Sequence, residues 1–421
     1  MIRATGPSWN TPLPAASAWR WAACLLALTL IAGRGLAVAA SGPTQGVTEK
    51  TIKIGVFGPF SGNASVYSKA QHMAISVYRD QNEHGGVNGR TLDLVIADDA
   101  CDPTTMQGLI RKFVEQDKVF MVHGGSCSNA LITSKRVIQA AGVPLLTVNA
   151  ASGTITSPPL RNLFQPKPTA EELGEAIVGF VASNPTAHRL AIVTQSDEWG
   201  QTFLKPVLAG LARTKLEIVV NEQMDPQTGD ATPQVRKVLA AKPDMVIVFA
   251  YPQPMSVFLR SANPQGLNGP FVTGDGARPE EQLERIGSRE PVQNLFSAYT
   301  FTKPVDDPGF QRYKELLAKH YPRDAFDAIA IEGAISAEMN IQALSRMGND
   351  LTWESWIRSM ESDQGFDTAV GGRMKFLPFD PSSPRSRRPG SAVNFSVLAP
   401  GGAGKSIVVL PDWAGWMKVK K

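Results

Sequence analysis

The chain has 421 residues, of which 43% are hydrophobic and 19% are charged. That is enough apolar material for two cores of ordinary size, and too much length for one domain. No long block of like charge occurs, so composition excludes wholesale disorder and a nucleic-acid-binding arm.

The N-terminus accounts for most of the formal charge of +4. Residues 1–40 carry Arg3, Arg20 and Arg34 but no acidic side chain, with an apolar run over 21–33 and the small-x-small tripeptide Ala37-Val38-Ala39. This pattern predicts a signal peptide over 1–40, cleaved after Ala39 or Ala40. The run is short for a membrane span, although a retained anchor is the alternative. Cys24 stands too early in the run for a lipoprotein signal. Loss of the leader removes three of 42 basic side chains and none of 38 acidic ones, leaving a nearly neutral chain with only Cys101 and Cys127. In an exported chain such a pair reads as a disulfide, worth about 3–4 kcal/mol in the chain-entropy model, or as two separate thiols.

From Thr51 short β-branched runs alternate with amphipathic stretches. A strand at 51–57 precedes a helix that places Ala70, Met73, Ala74, Val77 and Tyr78 on one face, closed by the Gly-rich turn 85–89. A strand at 92–97, a helix bearing Leu109, Ile110, Phe113 and Val114, a strand at 119–123, a helix at 129–141 and a strand at 143–148 complete a first lobe. Pro158, Pro159, Pro166 and Pro168 then mark a crossing. The alternation restarts with a helix at 170–183 and strands at 190–194, 217–221, 245–251, 271–273 and 295–299, while Pro206 interrupts the helical pattern after Trp199. Helices at 310–319, 329–347 and 353–360 return to the first lobe, and strands at 374–377, 395–398 and 407–410 follow. The expected fold class is α/β, with two doubly wound Rossmann-like lobes joined by a multi-crossover hinge. Lobe 1 comprises 48–167 and 302–370, and lobe 2 comprises 168–301 and 371–415. Residues 378–389, with Arg385, Arg387 and Arg388, read as an exposed solvated loop rather than a basic docking patch.

Open parallel sheets bind ligands beyond the carboxyl ends of their strands, where the next helix presents free amides. Polar and aromatic residues collect there at 58–67, 126–129 and 149–152 in the first lobe, and at Trp199, Tyr251 and Asp275 in the second. Each also has a plainer role. Ser128 and Ser152 suit helix N-caps, Asp275 between two glycines suits a turn, and Tyr67 and Trp199 suit packing. Asp98 and Asp99 read as structural hydrogen-bond acceptors beside Cys101. Residues 399–406 satisfy a relaxed phosphate-loop spacing, but a strand follows where a helix is required, so they read as a hairpin turn. The five histidines show no metal-ligand spacing.

Residues 52–62, 85–90, 98–103 and 125–128, in that order and spacing, resemble successive signatures of the type I periplasmic binding proteins of the branched-chain amino acid (leucine/isoleucine/valine-binding) family. The resemblance covers nearly all of the chain after Thr51. It implies a Cys101–Cys127 disulfide and a ligand-carboxylate site at Ser128 and the turn Ala150-Ala151-Ser152, with Ser in place of the family's Thr. Tyr67 and Tyr251 match ligand-contacting tyrosines. Asp275 matches an ammonium-binding Glu, one methylene shorter, and Trp199 replaces a Tyr. The implied function is the periplasmic component of an ABC importer that captures an amino acid or related small carboxylate by hinge closure. It needs no cofactor, performs no catalysis, binds no nucleic acid, and works as a monomer with membrane permease subunits. A sensing subunit for a membrane receptor, or a binder of an aromatic acid or amide, is the alternative.

Overall fold

The computed structural model describes residues 44–420, apart from 63, 302, 369–371, 391–392 and 403. The leader, its cleavage site and Cys24 lie outside the described residues. Alternating β-branched residues form β1 (Thr51–Gly58), whose inward side chains Ile52, Ile54 and Val56 are fully buried. The chain continues through α1 (Ser68–Glu83), β2 (Thr91–Asp98), α2 (Pro103–Glu115), β3 (Met121–Gly124), α3 (Ser128–Ala141), β4 (Leu145–Leu146) and β5 (Leu163–Phe164). These strands form a parallel sheet in the order β2-β1-β3-β4-β5. Strand β4 begins later than its apolar run suggests, because Pro144 has no amide to donate.

The second lobe starts with α4 (Ala170–Ala182), opened by a capping box between Thr169 and Glu172. It continues through β6 (Arg189–Gln195), α5 (Glu198–Leu211), β7 (Glu217–Met224), α6 (Thr232–Ala241), β8 (Met245–Phe249), α7 (Pro252–Ala262), β9 (Phe271–Thr273), α8 (Pro279–Ile286) and β10 (Leu295–Tyr299). Helix α5 runs through Pro206, whose ring packs against α4 at Gly174, where a Cβ would come within 3.1 Å of it. The chain then crosses back to α9 (Gln311–His320), α10 (Ala328–Met347), α11 (Trp353–Met360) and the hairpin β11 (Phe366–Thr368) and β12 (Gly372–Met374). The strand expected at 374–377 is thus displaced toward Gly372, because it pairs with β11. A third crossing leads to β13 (Asn394–Leu398), β14 (Ile407–Leu410) and α12 (Trp413–Val419). Strands β13 and β14 add antiparallel to the second sheet, in the order β14-β13-β10-β9-β8-β6-β7. The phosphate-loop-like segment is the turn of that last hairpin. Both lobes belong to one compact unit beginning at Thr44.

Residues 378–389 correct the sequence reading. Arg387 is fully buried, not solvated. Its guanidinium donates to the carbonyls of Leu160 and Arg161 and to Glu361, and lies over the rings of Phe164 and Phe379. Arg385 pairs with Glu172 at the start of α4, and Arg388 donates to the Thr169 hydroxyl. The loop is therefore a strap over the first crossing.

The Cys101–Cys127 disulfide is present, with Cα atoms 5.4 Å apart, and ties the loop after β2 to the start of α3. Ala100 and Cys101 both have positive φ, a costly conformation for residues with a Cβ. Asp98 accepts from the Ala100 amide and Asp99 from the Cys101 amide, which gives these carboxylates the structural role expected of them.

Helices α1 and α10 meet with no side chain between them at Gly333, where any Cβ would overlap the Ala70 carbonyl oxygen. Gly333→Ala should therefore destabilise the protein by about 1–3 kcal/mol through overpacking. Urea unfolding measures this, and an unchanged midpoint would contradict the close approach.

Candidate functional site

The first wall of the site is the amino end of α3. The amides of Ser128, Asn129 and Ala130 open this helix and have no acceptor within it, a ready anion-binding arrangement. Cys127, not Ser128, is the N-cap residue. The Ser128 Oγ accepts from the Ser152 amide at 3.2 Å, which brings the two predicted serines together. Ser152 is an N-cap: its Oγ accepts from the Thr154 amide at 3.3 Å and opens the 3₁₀ turn Gly153–Thr156. Ala150 is buried, and its carbonyl and that of Ser152 accept from the Gln165 side-chain amide. The Ala151 carbonyl accepts from the Ala170 amide at the start of the second lobe. The turn is thereby fastened to the first crossing.

The second wall is aromatic. Trp199, near the start of α5, stacks on Tyr251 with ring centroids 4.3 Å apart and packs against Phe203. Gly276 permits this, since a Cβ there would lie 2.9 Å from the Trp199 ring. Buried Gln195 positions the pair: its carbonyl oxygen accepts from the Tyr251 amide, and its amide donates to Asp197. Asp197 in turn accepts from the Gly200 amide and caps α5. Burial raises the Tyr251 phenol well above its ordinary value, and Tyr67 and Asp197 act in the same direction.

A charge cluster lies between the walls. The Lys167 ammonium, on the crossing between Pro166 and Pro168, sits 2.9 Å from Asp275 and 2.9 Å from Glu332. All three are nearly inaccessible, with side-chain exposures of 12%, 13% and 8%. Asp275 follows β9 in the second lobe and Glu332 lies on α10 in the first, so one ammonium holds both lobes. Burial lowers the Lys167 pKa, but the two carboxylates reverse this and raise it above its ordinary value. Asp275 is driven up by burial and further down by Lys167, ending below the usual range. Glu332 ends above it, because burial exceeds the pull of Lys167 and Asp275 repels it. Arg278, just before α8, adds a second cation. Burial raises the half-buried Tyr67 phenol, on which Lys167, Asp275, Glu332 and Arg278 also act.

Tyr67 and Tyr251 thus approach each other from opposite lobes, and Asp275, Trp199 and Tyr251 share the second wall. Lys167, Glu332, Arg278, Gln165 and Gln195 were not singled out from the sequence. The only local signal for Lys167 is its place between two prolines in the crossing segment.

A family model described as periplasmic binding protein matches residues 51–381. A Leu/Ile/Val-binding protein homolog 7 of Brucella abortus is 23% identical over 91% of this chain and 98% of its own length. The branched-chain amino acid transporter substrate-binding protein LivJ of Streptococcus pneumoniae, solved with isoleucine, superposes with a TM-score of 0.69 at 20% identity, covering 86% of this chain and 99% of that one. A fatty acid ABC transporter substrate-binding protein of Thermomonospora curvata superposes with a TM-score of 0.67 at 21% identity, covering 87% and 93%. At these identities the structural likenesses establish the fold. The two solved relatives are named as transporter substrate-binding proteins, not as enzymes.

Lys167→Met should cost about 3–5 kcal/mol at neutral pH, because it strands two buried carboxylates. Without the ammonium the folded Asp275 rises from below the unfolded value of about 4 to above it, and Glu332, already above, rises further. The folded state then binds more protons, so the deficit should shrink as pH falls toward 5. Urea unfolding at pH 7.5 and pH 5 checks this; a deficit that grows on acidification would contradict it.

Proposed function

Because the chain belongs to the periplasmic binding protein family, we propose that it is the substrate-binding component of an ABC importer and captures an amino acid or related small carboxylate between its lobes. The observation that carries this reading is the Trp199–Tyr251 stack beside the Asp275–Gly276 turn in the second lobe, with Tyr67 of the first lobe acting on Tyr251; the anion-ready terminus of α3 belongs to the same lobe as Tyr67. The ligand carboxylate meets the amides of Ser128, Asn129 and Ala130 and the Ser128 hydroxyl. Its apolar body lies against the Trp199–Tyr251 stack. Closure about the three crossings shields these polar contacts from water and makes the shape that permease subunits read. Export through the leader at 1–40 places the protein in the periplasm. The named relatives span isoleucine and fatty acid ligands, so both amino acids and plain acids belong in the first screen.

A thermal-shift screen of the chain from residue 41 against amino acids, amides, and aromatic and aliphatic acids should find a class that raises the melting temperature by mass action. Trp199→Ala should weaken that ligand about tenfold or more, as expected for loss of a large stacking surface, while leaving the far-ultraviolet circular dichroism unchanged. No shift with any class, or no effect of the Trp199 substitution, would overturn the reading.

A further inference from the structure

The charge arrangement at the site narrows the ligand class. Two cations, Lys167 and Arg278, and two carboxylates, Asp275 and Glu332, act electrostatically on the Tyr67 phenol. Both carboxylates are hydrogen-bonded to the same ammonium, each at 2.9 Å. A ligand ammonium brought to Asp275 would have to displace Lys167 from a buried position, leaving that charge unpaired at a cost that a small ligand's own ion pair does not recover.

The other nearby carboxylates offer no substitute. Asp197 has its oxygens bonded to the Gln195 amide and the Gly200 amide. Asp327 pairs with Lys69 and caps α10. Glu280 has a buried carboxylate oxygen without a hydrogen-bond partner, but Arg278 is the cation acting on it, and it is not among the groups acting on Tyr67. Anion donors, by contrast, are in surplus. The amides of Ser128, Asn129 and Ala130 have no helical acceptor, and the Arg278 guanidinium makes no hydrogen bond or close ion pair among the described residues, although four carboxylates act on it from farther away.

Resting on the reading that this cleft captures a small carboxylate, we propose that it selects an aromatic or aliphatic carboxylate that lacks an α-ammonium group, because Lys167 permanently occupies the ammonium position beside Asp275. Lys167 is then a specificity-determining residue. It supplies from the protein the charge that an amino acid would bring.

Isothermal titration with matched pairs tests this: L-leucine against 4-methylpentanoate, and L-phenylalanine against 3-phenylpropanoate. The deaminated member of at least one pair should bind tenfold or more tighter than its amino acid. An amino acid that binds as tightly as or tighter than its deaminated partner in every pair that binds would overturn the inference while leaving carboxylate capture intact. Absence of binding in both pairs would overturn the inference together with that capture. The double variant Lys167→Met, Glu332→Gln removes the internal ammonium together with one of its two carboxylates. It should shift the preference toward the amino acid by at least tenfold, whereas an unchanged ratio in a variant shown to be folded by circular dichroism would overturn the role of Lys167. The wild-type ratios decide the ligand class even if the variant does not fold.

Discussion

The lobes of this protein meet around one buried ammonium. Lys167 belongs to the first crossing, Asp275 to a turn of the second lobe and Glu332 to a helix of the first, and the three lie in direct contact. The adjoining pocket includes Pro166, Pro168, Phe301, Ile335 and Met374 in its lining, so all three crossings reach it. In such an apolar setting an unpaired charge is strongly disfavoured, and the pairing is correspondingly demanding of geometry. A change in the angle between lobes must either carry Lys167 along or separate it from one carboxylate.

The rest of the hinge is built to limit that choice. Gln165, two residues before Lys167, fixes the crossing to the Ala150–Ser152 turn through its side chain and to Arg387 through its backbone amide. Arg387 in turn is anchored between two aromatic rings and Glu361. The strap, the crossing and the turn beside the anion-ready helix terminus thus form one hydrogen-bonded assembly. The same glutamine thus joins the turn at Ser152 to the first crossing and the strap.

The disulfide serves the same wall from the other side. It joins a strained left-handed turn at Ala100 and Cys101 to Cys127, the residue before Ser128. The position of the α3 amides is therefore set covalently at one end and by the Ser128–Ser152 hydrogen bond at the other. On the opposite wall Gln195 has the equivalent task, holding the Tyr251 backbone and the Asp197 cap together.

The sequence by itself determined the alternation of strands and helices, the doubly wound lobes, the cysteine pair and the clustering of polar residues at strand ends. These follow from periodicity and turn chemistry, which are local and are written in consecutive residues. It also pointed to Trp199, Tyr251 and Asp275, which the fold does bring to one wall. Only the tertiary structure decided what each of those groups faces. Asp275 reads locally as a free carboxylate, yet it is paired with a lysine from another segment. Arg387 reads as a solvated loop residue, yet it is buried because two rings and a distant glutamate enclose it. Ser152 offers a hydroxyl, but that hydroxyl is already capping a turn. Pairing of charges and burial of long side chains depend on segments far apart in the chain, and no local pattern encodes which of them will meet.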